Sequence, residues 1–198
     1  MSKIFYIADM HISHKNILAF DNRPFSSIEE HDKILMDNWN SVVSDGDTVY
    51  ILGDEHWGKA PEVYDYFKQL KGRKVCIKGN HTLKHFSQNL KNLFDDVKDY
   101  KEIKDNGRLV ILCHYPILTY KHSYDPNVFM LHGHTHRTKE QEYIDKWTKE
   151  LRENCKGPID NCGNIYNVGC MMSYMNFFPR TLDEIIMNPE INNFKSST

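Results

Sequence analysis

Lys3-Ile4-Phe5-Tyr6-Ile7-Ala8-Asp9-Met10-His11 stands near the start of the chain and sets its pattern: an unbroken apolar run gives way at once to an acid and an imidazole. A short apolar run bounded by polar residues reads as a strand buried on both faces. The same transition recurs along the chain. Thr48 to Leu52 ends at Gly53-Asp54, and Lys74 to Lys78 ends at Gly79-Asn80-His81. Arg108 to Cys113 ends at His114, and Asn127 to Leu131 leads into Gly133-His134-Thr135-His136. A polar motif after each strand predicts an α/β layered fold with its site at the carboxyl ends of the strands.

The intervening segments fit that order. Ser27-Ile28-Glu29-Glu30 has the form of a capping box, and Ile28, Ile34, Leu35, Trp39, Val42 and Val43 mark one apolar face of the helix it opens. A second helix begins near Pro61, presents Val63, Phe67 and Leu70, and is closed by Gly72. In the second half Val97–Lys104 and Arg108–Cys113 flank Asp105-Asn106-Gly107, a hairpin signal. Lys139–Asn154 is charged, with Tyr143, Trp147 and Leu151 spaced as one face of a surface helix, and His31 and His85 sit on predicted helices as surface residues. Asn164–Val168 is a last strand, Thr181-Leu182-Asp183-Glu184 caps a terminal helix, and the chain frays from about Pro189. The expected arrangement is one domain over residues 1–198: two sheets face to face, helices outside each, the second sheet more antiparallel than the first.

Composition narrows the function classes. The 198 residues carry a formal net charge of -2, so no basic stripe for a nucleic-acid backbone is evident, although a small nucleotide needs only a few local cations. Met1 to Ile7 runs straight into a strand, so no secretory leader is expected, and no apolar run approaches the roughly 20 residues that span a membrane. The five cysteines form no Cys-x-x-Cys pair: Cys76 and Cys113 read as buried thiols, and Cys155, Cys162 and Cys170 fit a closed zinc site poorly. A reducing, cytoplasmic setting is the expectation.

Histidine is the unusual residue. Of eleven, His11, His81, His114, His132, His134 and His136 lie inside or beside the motifs. Alone, each motif has an ordinary reading as a turn residue, a helix cap or a solvated imidazole. Together they supply two Asp, one Asn and several His at successive strand ends. That is a donor set for two divalent metals side by side, and paired metals suit in-line displacement at phosphorus. Asp9-x-His11, in an extended segment, would point both side chains to one side, and His134-x-His136 could give one imidazole to each metal. The two carboxylate oxygens of Asp54 suit a bridge.

The order Asp-x-His, Gly-Asp, Gly-Asn-His, His, Gly-His-x-His resembles the calcineurin-like metallophosphoesterases, over about Ile4 to Ile186. Asn167-Val168-Gly169 and Pro179 to Ile185 also resemble the closing strand and helix of small bacterial and phage members. The resemblance implies a four-layer αββα sandwich of two mixed sheets. It implies Asp9, His11 and His136 on one metal, Asn80, His114 and His134 on the other, Asp54 bridging, and His81 facing the substrate. One departure stands out: the family commonly has Asp or Glu after Gly-Asn-His, where this chain has Thr82, which puts the orientation of His81 in question.

The reaction implied is hydrolysis of a small phosphodiester, such as a nucleotide ester, by a metal-bridging hydroxide in line with the leaving oxygen, with His81 and Asp54 catalytic. The alternatives are a broad phosphomonoesterase and a non-catalytic metal-binding scaffold. Asp, Asn and His without thiolate suit Mn, Fe, Zn, Co or Ni. Arg23, His14, His56 and Tyr115 are candidate substrate contacts, with His122 a further pocket residue and His132 a support for the metal shell. Met171, Met172, Tyr174 and Met175 read as core filling, with a wall for a base or a homodimer contact as alternatives.

Overall fold

The structure, a computed structural model, describes residues 2–57, 60–82 and 87–188. The predicted helical His85 and the tail from Pro189 lie outside the described residues. The elements run β1 (Ile4–Ile7), α1 (Ile17–Phe20), α2 (Ile28–Val42), β2 (Thr48–Leu52), α3 (Ala60–Gln69) and β3 (Arg73–Ile77). They continue with α4 (Gln88–Lys91), β4 (Asp96–Lys98), β5 (Tyr100–Asp105), β6 (Arg108–Cys113), β7 (Val128–His132), α5 (Lys139–Asn154), β8 (Ile165–Asn167) and α6 (Leu182–Ile186). One sheet has the order β1-β2-β3-β4 and is parallel throughout; the other, β5-β6-β7-β8, pairs β5 with β6 antiparallel and the rest parallel. The second sheet alone is therefore mixed.

Strand alternation sorts the core into layers, because successive side chains point to opposite faces. Phe5 and Ile7 of β1, Val49 and Ile51 of β2, and Cys76 of β3 pack with Leu35 and Trp39 of α2 and Val63 and Phe67 of α3. Their neighbours Tyr6, Tyr50, Leu52, Val75 and Ile77 face the other way, against Val110, Leu112, Phe129 and Leu131 of the second sheet. Ile111, Val128, Met130 and Ile165 turn outward toward Ile144 and Trp147 of α5. Three apolar layers thus separate four structural layers, the αββα sandwich. Each fully buried Leu, Ile or Phe contributes on the order of 1.5–3 kcal/mol.

Three local expectations are corrected. The predicted strand Val97–Lys104 is two strands: it breaks at Asp99, β4 closing the first sheet and β5 opening the second. Tyr143 on α5 is exposed, and the helix instead buries Gln141 and Thr148. Gln141 Oε1 accepts from Thr135 Oγ1 and from Asn167 Nδ2 at 2.8 Å, so a polar residue takes a place an apolar pattern would have filled. At α2 the Ser27 hydroxyl accepts from Glu30 N–H, whereas the Glu30 carboxylate reaches back to Ser26 N–H, one residue beyond a reciprocal box. Thr181 and Glu184 form the full box on α6. Among the described residues no helix is long and apolar enough to cross a membrane.

Candidate metal centre

The loops after β1, β2, β3, β6 and β7 meet at one edge where the two sheets adjoin. Backbone pairing continues past the ends of β1 and β2: Asp9 N–H donates to Gly53 O, His11 N–H to Asp54 O, and Ile12 N–H to Glu55 O. This lays Asp9 and His11 alongside Asp54. The segment is not extended, as alternation alone would predict. Asp9 (φ 53°), His11 (φ 52°), Asp54 (φ 50°), His134 (φ 70°) and His136 (φ 47°) all take left-handed backbone conformations. Such conformations cost about 1–3 kcal/mol each and persist where the surroundings over-determine them, commonly at functional sites. Successive left-handed turns, rather than a strand's period, bring the side chains together.

Two glycines permit the approach. Gly53 has φ 83°, and a Cβ there would lie 2.4 Å from His114 Nδ1; a Cβ on Gly79 would lie 2.2 Å from Asp54 Oδ1. No side chain fits at either place.

The donor atoms converge in two overlapping sets. Asp9, His11 and His136 offer atoms within 4.8 Å of one another, and so do Asp9, Asp54 and His114. His11 Nε2 is 3.3 Å from His136 Nε2, and His136 Nε2 is 3.8 Å from Asp9 Oδ1. Asp54 Oδ2 lies 3.9 Å from His11 Nε2, 3.6 Å from His114 Nε2 and 4.0 Å from His81 Nε2. Asn80 Oδ1 is 2.9 Å from His114 Nε2 and 3.0 Å from His134 Nδ1. Ligands on a shared metal, with bonds of about 2.0–2.2 Å, stand roughly 3.0–3.5 Å apart, so several of these spacings are those of neighbours in a coordination shell.

The far sides of two imidazoles are tied down. His114 Nδ1 donates to Leu52 O at 2.8 Å, and His136 Nδ1 lies 3.2 Å from Asp21 Oδ2. Each bond leaves the Nε2 lone pair aimed at the centre, the arrangement that orients histidine ligands. The electrostatics also fit a cation. Burial pushes the Asp9 carboxyl above its ordinary range. Burial and neighbouring positive charge hold the His11 imidazole far below its ordinary value, and burial lowers His134. A buried acid short of positive charge, among imidazoles kept neutral, suits a divalent ion. His136 runs the other way: burial would lower it, but the Asp21 and Asp9 carboxylates outweigh that and raise it.

Of the other candidates, His14 lines the cleft, its Nδ1 3.3 Å from His11 Nδ1. Tyr115 is exposed, its ring 4.7 Å from that of His134, and it is not among the residues lining the cleft. Arg23 is corrected: it is 4% exposed and donates to the Asp9 and Met10 carbonyls, Asp21 Oδ2 and His31 Nε2, so it buttresses the first motif from beneath. His31, read as a surface residue, is fully buried in that network. His56 is also buried, beside Phe67 and Glu55, and does not line the cleft. His122 is exposed and pairs with Tyr124. His132 is buried with Nδ1 on Gly133 O, and burial lowers it to about 4.

Thr82 does not face His81. Its hydroxyl accepts from Gly79 N–H at 2.9 Å and donates to Glu55 Oε2 at 2.7 Å, while the His81 ring meets Trp57 edge-on at 4.6 Å. Among the cysteines, Cys170 Sγ contacts the Asp9 carbonyl whereas Cys155 and Cys162 sit 3.4 Å apart and half-buried, and among the described residues no cysteine joins a metal-type cluster. Cys76 is buried and Cys113 half-buried. Met171 and Met175 fill the core. The motifs did not single out Asp21 and Trp57, because neither stands at a strand end with a ligand-like neighbour. Only the fold sets Asp21 against His136 and Trp57 against His81.

The sequence profile of the calcineurin-like phosphoesterases matches residues 2–170, and the chain belongs to this family. An uncharacterized protein of Methanocaldococcus jannaschii is 37% identical over 145 residues, covering 72% of this chain and 74% of its own. The gene 66 protein of Mycobacterium phage L5 is 31% identical over 163 residues, covering 69% and 78%. Among solved structures, an Aquifex aeolicus protein of unknown function shares the fold with a TM-score of 0.66 at 24% identity, over 94% of this chain and 98% of its own.

Proposed function

We propose that the chain hydrolyses small phosphodiesters with two divalent metals held by Asp9, His11, His136, Asn80, His114 and His134, with Asp54 between them. The observation that carries the reading is Asp54 Oδ2, within 4.0 Å of imidazole nitrogens from three separate loops. When bound, the cations would polarise the phosphoryl oxygens and lower the pKa of a water nucleophile. The chain's own groups do the rest. Leu52 O and Asp21 fix the His114 and His136 rings, and Arg23 holds the Asp9 loop in its left-handed form. His81 is a half-exposed imidazole at the mouth of the centre, with its backbone N–H bound to Asp54 Oδ1 at 3.0 Å. In this reading His81 would act as the general acid toward the departing alkoxide.

The direct test is hydrolysis of bis-p-nitrophenyl phosphate and p-nitrophenyl phosphate with added manganese, with and without a chelator. Metal-dependent cleavage of the diester is expected. Equal cleavage of the monoester would make the chain a broad phosphatase, and cleavage of neither would leave a scaffold. His81→Ala is expected to keep its metal, measured by elemental analysis, and to lose about 10²–10⁴-fold in turnover; unchanged turnover removes His81 from the mechanism.

A further inference from the structure

The cleft over the metal centre has a volume of about 1020 Å³, large for a phosphate group alone. One wall is a row of rings. His81 meets Trp57 edge-on with centroids 4.6 Å apart, Trp57 stacks on His14 at 4.6 Å with only 14° between planes, and His14 meets Phe20 edge-on at 6.2 Å. The row therefore runs from the group beside Asp54 out to the solvent-exposed Phe20. Phe20, at its outer end, is 76% exposed, and it lines the cleft rather than the core. A large apolar ring left in water at a cleft mouth, continuous with a stacked pair, is a surface for another planar ring. Lys15 and Arg137 also border the cleft and supply positive charge for an anionic ligand.

We propose, building on the phosphodiesterase reading, that this row is a stacking wall for a nucleobase, so that the substrate class is a nucleotide ester whose phosphorus lies at the metal centre. A base offers a flat π-face that stacks on aromatic side chains whichever base it is, and such stacking is worth roughly 10–100-fold in affinity per base. The edge contacts at His81 and Phe20 leave the wall stepped rather than flat, which gives a tethered base a seat along it while the ester stays by Asp54.

The test separates base from phosphate. Calorimetric titration of the manganese-loaded protein with thymidine 5′-monophosphate and with methyl phosphate compares ligands that differ by the nucleoside alone. The nucleotide is expected to bind at least tenfold more tightly, and Phe20→Ala to narrow that ratio severalfold; Phe20 is a surface residue, so its truncation leaves the core packed. In parallel, p-nitrophenyl thymidine 5′-phosphate and methyl p-nitrophenyl phosphate share a leaving group, and the nucleoside ester is expected to show the higher kcat/KM, by a ratio that also shrinks in the variant. Equal binding of the two phosphates overturns the wall, even if both esters are cleaved and the phosphodiesterase reading survives. A tenfold binding preference with no cleavage of either ester supports the wall and removes the phosphodiesterase reading instead.

Discussion

Asp21 and Arg23 show how much of the candidate centre is decided by residues outside its donor sets. Asp21 Oδ2 takes both Arg23 Nε at 2.9 Å and His136 Nδ1 at 3.2 Å. Burial alone would raise the Asp21 carboxyl, but the bonds from His136 and Arg23 outweigh it and lower it. Asp21→Asn keeps the shape and removes the charge that sets the His136 tautomer. Manganese affinity, read by calorimetry, is expected to fall roughly 10–100-fold; an unchanged affinity would mean that His136 needs no such partner. Behind Arg23, His31 donates from Nδ1 to Asp32 and accepts the guanidinium at Nε2. Burial lowers its pKa, against the raising effect of Asp32. A folded value below the unfolded one gives stability that is complete above the unfolded pKa of about 6.5 and lost as pH falls through the folded value. Denaturant unfolding between pH 7.5 and 5 is therefore expected to show a steeper loss in the parent than in His31→Gln, and identical slopes would exclude this histidine as a source.

At the scale of elements, every strand-end motif is a short strand stopped by a residue that the next loop needs. Gly79 lies against Asp54 so closely that a Cβ would meet Oδ1 at 2.2 Å and the backbone nitrogen at 2.7 Å. Gly79→Ala must push the loop after β3 away from the loop after β2. The expected cost is about 1–3 kcal/mol of stability, as for an overpacked core, together with loss of metal binding; full manganese stoichiometry in the variant would show that the two loops are not rigidly coupled. The strands and their order were legible because parallel strands buried on both faces read as solid apolar runs. The candidate ligands were legible because they follow those runs directly. The break at Asp99 was not, since the polar pair Lys98-Asp99 at the junction of β4 and β5 recurs as Lys101-Glu102 within β5, and only the tertiary fold assigns the two strands to different sheets. Burial of Arg23, His31 and His56 was hidden for a related reason: composition marks charged residues as exposed, and only a network that satisfies them puts them inside.

Across the whole molecule, the candidate centre lies where the sheets meet rather than within either one. Asp9, Asp54 and Asn80 follow strands of the first sheet, and His114, His134 and His136 follow strands of the second. His134 N–H already bonds both oxygens of Asp9 across this seam, at 3.1 and 3.0 Å, and Ala8 N–H bonds Val168 O. A cation shared between loops of both sheets would add to these links in the native state and have no matching site in the unfolded chain, where the ligands are dispersed. Binding to the folded form alone stabilises it by about 2.7 kcal/mol at a free metal concentration 100 times Kd. For a chain of 198 residues, at about 2–4 °C per kcal/mol, that is roughly 5–11 °C in Tm. Manganese is thus expected to raise Tm progressively with concentration, and a chelator to reverse it. Asp54→Asn removes the charge nearest the shared point, so its Tm should respond much less over the same range. The comparison separates specific binding from general ionic effects, because the variant retains the rest of the surface. If parent and variant shifted in parallel, the metal would be acting elsewhere, and the seam between the sheets would be held by hydrogen bonds and apolar packing alone.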